Sequence, residues 1–379
     1  MHASTMIETM DNSRSDTAPF VDRERYLSTI EAFIDRPVVK VLKGMRRVGK
    51  SVIMRLLIER LIDRGVSGAN ILYINKESLV FDAIKDYRDL YRYAVDYFKN
   101  GAARGASATT ATSASASAAG RRTYILIDEV QEIEGWERAV ASFLADGLGD
   151  VVISGSNAGL LSSELATLLS GRYVEIPVYP LTFREFMTFR NAKRDGGDRT
   201  DTATEAENEF KNYLRYGGLP GIHQLPANDD VRFSYLNAVL NTILYKDVIT
   251  RHKIRDASIF DKLVRYLFDN VGNITTAKRI ADYFKSQRIR TSVDTILNYI
   301  SYVEASLLID KAPRYDIKGK RLLELGRGWG QVFKISVPWG QFRGVRSFKL
   351  ALRSNADFKA LTPQGPDFKA LPRPQGPET

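Results

Sequence analysis

An α/β fold, a parallel sheet flanked by helices, is predicted by three apolar runs: VVKVL (38–42), TYILIDEVQ (123–131) and VVISGSNAGLL (151–161). Each gives way to polar or glycine residues where a buried parallel strand would leave its sheet. The first leads into SVIMRLLIERLI, whose apolar residues recur at helical spacing, and the third into another helix-like run.

The first strand continues as GMRRVGKS (44–51), with the spacing G-x-x-x-x-G-K-S of a phosphate-cradling P-loop. Gly44 and Gly49 let the backbone curl so that successive N–H groups face phosphate oxygens. Lys50 neutralises charge at the β- and γ-phosphates, and Ser51 is a Mg²⁺ ligand. Arg47, Val48 and Val52 belong to the same nucleotide-contacting stretch. ATP or GTP is therefore the first ligand to consider, and a strand–loop–helix context is what such a loop requires.

The second run ends in adjacent acids, in the manner of a Walker B strand. Asp128 would hold Mg²⁺ through its water shell, and Glu129 would orient and polarise the water attacking the γ-phosphate. A solvated strand end is the alternative for an isolated Asp-Glu pair; downstream of a P-loop, the pair points to hydrolysis. The third run ends in Ser154, Ser156 and Asn157. Ser156 and Asn157 are candidates to touch the γ-phosphate or its water, or to cap the helix beginning near Ala158.

GMRRVGKS, ILIDEVQEIEGWE, ISGSNAGLLSSELATLLSGRYVEIPVYPLTFREF and YGGLPGI resemble the bacterial and archaeal AAA-type ATP-binding proteins. The resemblance is dense from about Arg23 to Leu325. It implies a P-loop NTPase core followed by a helical lid, a winged-helix region and a C-terminal nuclease-like domain. It also implies that Gly44, Gly49, Lys50 and Ser51 form the P-loop, that Asp128 and Glu129 are the Walker B acids, and that Ser156 with Asn157 occupies the sensor position. ATP and Mg²⁺ are the implied cofactors, and Lys50 and Glu129 the implied catalytic pair. Arg172, ahead of the strand YVEIPVY, is a candidate transition-state arginine because guanidinium matches phosphate oxygens in a bidentate way. A surface arginine at a strand start is the alternative, and Arg46 and Arg47 compete for the same role.

The expected organisation is a lead-in over 1–20 without fixed structure, the P-loop domain over 21–200, a lid over 201–256 and a winged-helix region over 257–325. Residues 101–120, GAARGASATTATSASASAAG, read as a flexible surface insert within the ATPase domain. Glu205 to Tyr216 and Val231 to Ile249 have helical periodicity around the Gly/Pro break YGGLPGI. Three further helices, near 259–268, 275–284 and 292–307, precede strand-like LLIDKAP and GKRLLEL, a winged-helix pattern. Lys278, Arg279, Arg288 and Arg290 could meet DNA, together with Lys285 and with Lys318, Lys320 and Arg321 on the wing. Winged helices of this kind also serve as protein contacts, so a protein partner or a homo-oligomer is the other expectation.

After Leu325 the resemblance stops. The sequence turns into the near-repeat DFKALTPQGP, DFKALPRPQGP, and the nuclease-like domain is expected to be truncated or replaced. A reading-frame change near Leu325 would produce such a departure. Residues 326–379 hold nine Lys or Arg against three acids, so +6 of the net +10 lies in this basic segment, which is expected to be disordered. Whole-chain charge is thus no argument about the core.

The chain has 379 residues, no cysteine and three scattered histidines, His2, His223 and His252. Disulfides, zinc–thiolate sites and thiol catalysis are excluded. No apolar run reaches membrane-span length and no signal-peptide core opens the chain, so no membrane association and a cytoplasmic location are expected. The sequence reading is an ATPase that moves its lid and winged helix with the nucleotide cycle. The competing reading is a nucleotide-gated DNA-binding or protein-interaction module with negligible hydrolysis. A GTPase is disfavoured by the lack of an Asn-Lys-x-Asp motif, and a P-loop kinase by the lack of an acceptor site.

Overall fold

The computed structural model describes residues 21–106, 122–156, 167–169, 171–192, 203–312 and 331–335. Five parallel strands form the central sheet: β1 (Val39–Lys43), β2 (Ile71–Asn75), β3 (Tyr124–Asp128), β4 (Asp150–Gly155) and β5 (Tyr173–Pro177). Their order is β2-β3-β4-β1-β5, so β1 and β3 both border β4. β2 is a strand that the apolar runs read above did not include.

Strand alternation explains how the sheet is covered. Tyr124 and Leu126 face one side with Leu42, Val152 and Ile176, against α1 (Glu24–Glu31) and α2 (Lys50–Asp63). Ile125 and Ile127 face the other with Val41 and Ile153, against α3 (Tyr87–Ala106) and α4 (Trp136–Ala145). Every residue of β3 is buried, as a central parallel strand requires. Lys40 is the exception to the apolar rule in β1, fully buried and paired with Asp150 at the start of β4. The α3 helix reaches Ala106, inside the expected insert, whose remainder lies outside the described residues.

After β5 the chain is helical: α5 (Phe183–Ala192), α6 (Ala203–Tyr216) and α7 (Asp229–Thr242), which continues as a π-helix over Ile243–Thr250. Next come α8 (Ala257–Asp269), β6 (Ile274–Thr275), α9 (Ala277–Ser286), α10 (Val293–Ala305) and β7 (Ile309–Ala312). Four of these helices open on a side-chain cap, with Asn228, Asp256, Thr276 and Ser292 each accepting a backbone N–H from three residues on. Their apolar faces join the same core as α1 and α2.

A strand β8 (Gln331–Ile335) pairs antiparallel with both β6 and β7, giving the order β6-β8-β7. This departs from the expectation of a disordered segment from 326 onward. That expectation weighed whether 54 residues could build a core of their own, whereas QVFKI needs only existing strand edges. GKRLLEL lies outside the described residues.

Candidate nucleotide-binding site

The carboxyl ends of β1, β3 and β4 lie side by side: Lys43 pairs with Gly155, and Ile127 with Ile153. Ligands of parallel α/β sheets collect at such ends. The loop from Gly44 to Ser51 leaves β1 here and turns into α2. A Cβ on Gly44 would lie 2.4 Å from the Val178 carbonyl oxygen, so only glycine fits. Gly49 has φ +98°, a left-handed conformation that glycine adopts without strain, and it gives α2 no side-chain cap. The first N–H groups of α2 are thus left for another acceptor.

Lys50 is folded back over this loop. Its Nζ donates to the carbonyls of Gly44 at 2.8 Å and Met45 at 3.2 Å, and stands 3.7 Å from Glu129 Oε1. Burial pulls its ammonium pKa down by more than Glu129 and Asp128 restore.

Asp128 and Glu129 are both buried. Asp128 accepts from the Ser154 hydroxyl and, at 3.3 Å, from Tyr73 OH on β2. Glu129 has φ +55°, unusual for a residue with a side chain and of the kind concentrated at functional sites. Its Oε2 accepts from Gln131 Nε2 and from Ser156 Oγ, the latter at 3.1 Å. Burial pushes its carboxyl up, but Lys50, Gln131, Arg46 and Ser156 together hold it below the ordinary glutamate value.

The two loop arginines differ. Arg47, at φ +66°, is exposed. Arg46 makes a bidentate pair with Asp247 of the π-helix, Nε to Oδ2 at 2.7 Å and Nη2 to Oδ1 at 3.0 Å. Val48 is buried, and its carbonyl accepts from Arg23 Nη1 at 3.0 Å. Ser51 and Val52 lie half-buried on the first turn of α2.

Sequence reasoning did not single out Arg23, Tyr73, Gln131 or Asp247. Only Asp247 carried a local signal, as the one acid of ILYKDVIT, next to Lys246.

Arg172 is not at this site. It precedes β5, its carbonyl accepting from Val39 N, so it lies at the amino end of the sheet while the loop lies at the carboxyl end. At about 3.3 Å per residue, β1 separates the two by roughly 15 Å, beyond the side chain's reach. Its role on the phosphate of its own chain is therefore withdrawn. Of the expected strand YVEIPVY, Tyr173–Pro177 forms β5, and its neighbour and direction were not available from spacing. Asn157 lies outside the described residues, as do Lys318, Lys320 and Arg321. Lys278, Arg279, Lys285, Arg288 and Arg290 are exposed on α9 and the turn after it.

An AAA-domain family profile matches residues 36–187, and a second profile, a domain of unknown function (DUF8612), matches 207–324. An uncharacterized protein of Haemophilus influenzae is 34% identical over 304 residues, 80% of this chain and 69% of that one. The chain belongs to this AAA-domain family. An uncharacterized protein of Methanocaldococcus jannaschii is 27% identical over 329 residues, 86% of this chain and 67% of its own length. Among solved structures, a Walker-type ATPase of Pyrococcus abyssi matches with a TM-score of 0.53 at 15% identity, covering 85% of this chain and 95% of that one. At that identity the likeness is one of fold. The AAA-type P-loop ATPase domain supports nucleotide binding. Among the described residues, no helix is long and apolar enough to cross a membrane.

Proposed function

We propose that this chain binds ATP with Mg²⁺ and hydrolyses it. The observation that carries the reading is the convergence of Lys50, Asp128 and Glu129 around a loop whose Gly44 leaves no room for a side chain. Lys50 would exchange the Gly44 and Met45 carbonyls for phosphate oxygens. The Ser51 hydroxyl and Asp128 carboxylate are hard oxygen donors suited to Mg²⁺. Among the described residues no group of three or more His, Cys, Asp or Glu could hold a metal alone, which suits an ion that takes its remaining ligands from phosphate and water. When bound, Mg²⁺ would neutralise charge on the phosphates.

Glu129 would orient the attacking water. Its lowered pKa keeps it ionised at neutral pH, and Ser156 and Gln131 fix one of its oxygens. Gly44, Arg47, Val48, Gly49 and Val52 would line the nucleotide, with Asn157 the proposed partner of Ser156.

Residues 201–256 would act as a lid and 257–325 as a winged helix moved by the nucleotide cycle. The succession α8-β6-α9-α10-β7-β8, with strand order β6-β8-β7, supports the winged-helix reading. A second reading, a nucleotide-gated DNA- or protein-interaction module, draws support from the exposed Lys278, Arg279, Arg288 and Arg290. A cytoplasmic location goes with either reading.

Steady-state ATP hydrolysis with Mg²⁺, with and without duplex DNA at two salt concentrations, separates these readings. Turnover abolished by Glu129→Gln is expected. ATP binding without turnover favours the gated module, and stimulation by DNA at the higher salt assigns the basic residues to DNA.

A further inference from the structure

Arg46 is a phosphate-loop cation engaged by a carboxylate far away in sequence. Both acceptors of the bidentate pair belong to Asp247, which is 2% exposed in the middle of the π-helix Ile243–Thr250. The third guanidinium nitrogen is 3.5 Å from Glu77 Oε1, and Glu129 lies within electrostatic range. π-Helical turns are rare and gather at functional positions. His252, just beyond this turn, stacks on Tyr302 of α10 at 3.9 Å and 7°. One short segment therefore touches the phosphate loop at one end and the C-terminal helices at the other.

We propose that Asp247 is a positioning residue of the phosphate site, holding Arg46 until phosphate oxygens compete for the same guanidinium, so that nucleotide occupancy is passed to the π-helix. The inference rests on the ATP-binding reading above. Carboxylate and phosphate offer the guanidinium fork the same pattern of oxygen acceptors, so they exclude one another at a single arginine. A buried carboxylate stripped of its cation is costly, and the π-helix must then shift or admit water. Removing the charge of Asp247 deprives the nucleotide-free protein of the Arg46 pair while leaving the arginine–phosphate contact intact. Linkage then makes triphosphate binding tighter. A merely structural Asp247 gives the opposite sign, because a loosened loop binds nucleotide less well.

The test is calorimetric titration of the full chain with Mg²⁺ and a non-hydrolysable ATP analogue, comparing wild type with Asp247→Asn. The expected result is a Kd about fivefold or more lower in the variant, with a smaller change for ADP. Hydrogen exchange on wild type alone guards against a variant that does not fold: amides of 243–250 should exchange faster with the analogue than with ADP. Wild type that binds no nucleotide overturns the ATP reading and this inference together. Wild-type binding, with Asp247→Asn unchanged or weaker, or with exchange of 243–250 the same in both nucleotide states, overturns this inference alone.

Discussion

Ser154 on β4 donates its hydroxyl to Asp128 at the end of β3, and the same oxygen accepts the backbone N–H of Glu129 at 3.3 Å. One small side chain thus orients the proposed metal-binding carboxylate and the backbone of the proposed catalytic acid. Its place follows from parallel pairing, which sets Ile127 opposite Ile153 and so brings the next residues together.

Ser154→Ala should therefore act on chemistry more than on folding. It leaves a buried carboxylate oxygen and a buried N–H each short of a partner, a cost of about 1–3 kcal/mol. Loss of such a supporting hydrogen bond behind a metal ligand typically lowers activity about 10–100-fold. Thermal melts and Mg²⁺-dependent ATP turnover check the two parts. Full activity in a destabilised variant would remove Ser154 from the site.

Lys50→Ala is expected to act on both stability and binding. The ammonium is buried at a desolvation cost, and its partners in the nucleotide-free protein are two loop carbonyls and Glu129. The variant should melt lower without ligand, because Glu129 and two loop carbonyls lose a buried partner, and the rise produced by saturating ATP should vanish. For wild type that rise corresponds to about 2.7 kcal/mol at a hundredfold excess over Kd. A variant that still gains stability from ATP would show that Lys50 does not hold phosphate.

Gly44→Ala tests the loop's shape. The added methyl would sit 2.4 Å from the Val178 carbonyl oxygen and 3.0 Å from a Val48 methyl carbon. Backbone has little freedom to yield in the core beside β5, so overpacking should cost about 1–3 kcal/mol. Nucleotide affinity should fall with it, measurable by fluorescence titration, because the loop must move away from β5. Unchanged affinity and stability would mean that the close approach is not maintained in solution.

The glycine loop between β1 and α2 and the two acids ending the β3 strand were legible as local structure, because each is a run of adjacent residues after an apolar strand. Helices 203–216, 229–242, 257–269, 277–286 and 293–305 were legible from periodicity, although the caps that open them, Thr276 and Ser292 among them, show only in the structure. What escaped depends on distant pairing. Arg46 and Asp247 are 201 residues apart, and Arg23 and Val48 meet only once α1 packs beside the loop. Arg172 looked suitable by residue type, yet its distance from the loop is set by which strand β5 joins and in which direction. Strand β8 was missed because its stability comes from β6 and β7 and not from its own segment.

Glu185 offers a prediction with a definite pH dependence. It closes a capping box at the start of α5, accepting from Thr182 N at 2.8 Å while its own N–H donates to Thr182 Oγ1 at 3.3 Å. Its other oxygen receives Arg23 Nε at 2.8 Å, and the two Nη nitrogens of Arg23 donate to the Val48 and Tyr179 carbonyls. Burial pushes the Glu185 carboxyl up, but Arg23 and Thr182 outweigh it, leaving the pKa below the usual glutamate value. A carboxyl whose pKa is lowered by folding stabilises the protein above its unfolded value, about 4.3, and the contribution is lost as pH falls through the lower folded value. Glu185→Gln keeps an acceptor for Arg23 and removes the charge, so the loss at neutral pH should be about 1.5–3 kcal/mol. Urea melts at about pH 7, 5 and 3.5 should show a constant gap between wild type and variant at the first two and a narrower one at the last. Because Arg23 also holds the Val48 carbonyl, the variant should bind nucleotide more weakly at neutral pH. A gap that widens in acid would mean that Glu185 is not ionised in the folded protein, and the strut from α5 through Arg23 to the phosphate loop would lose its electrostatic basis.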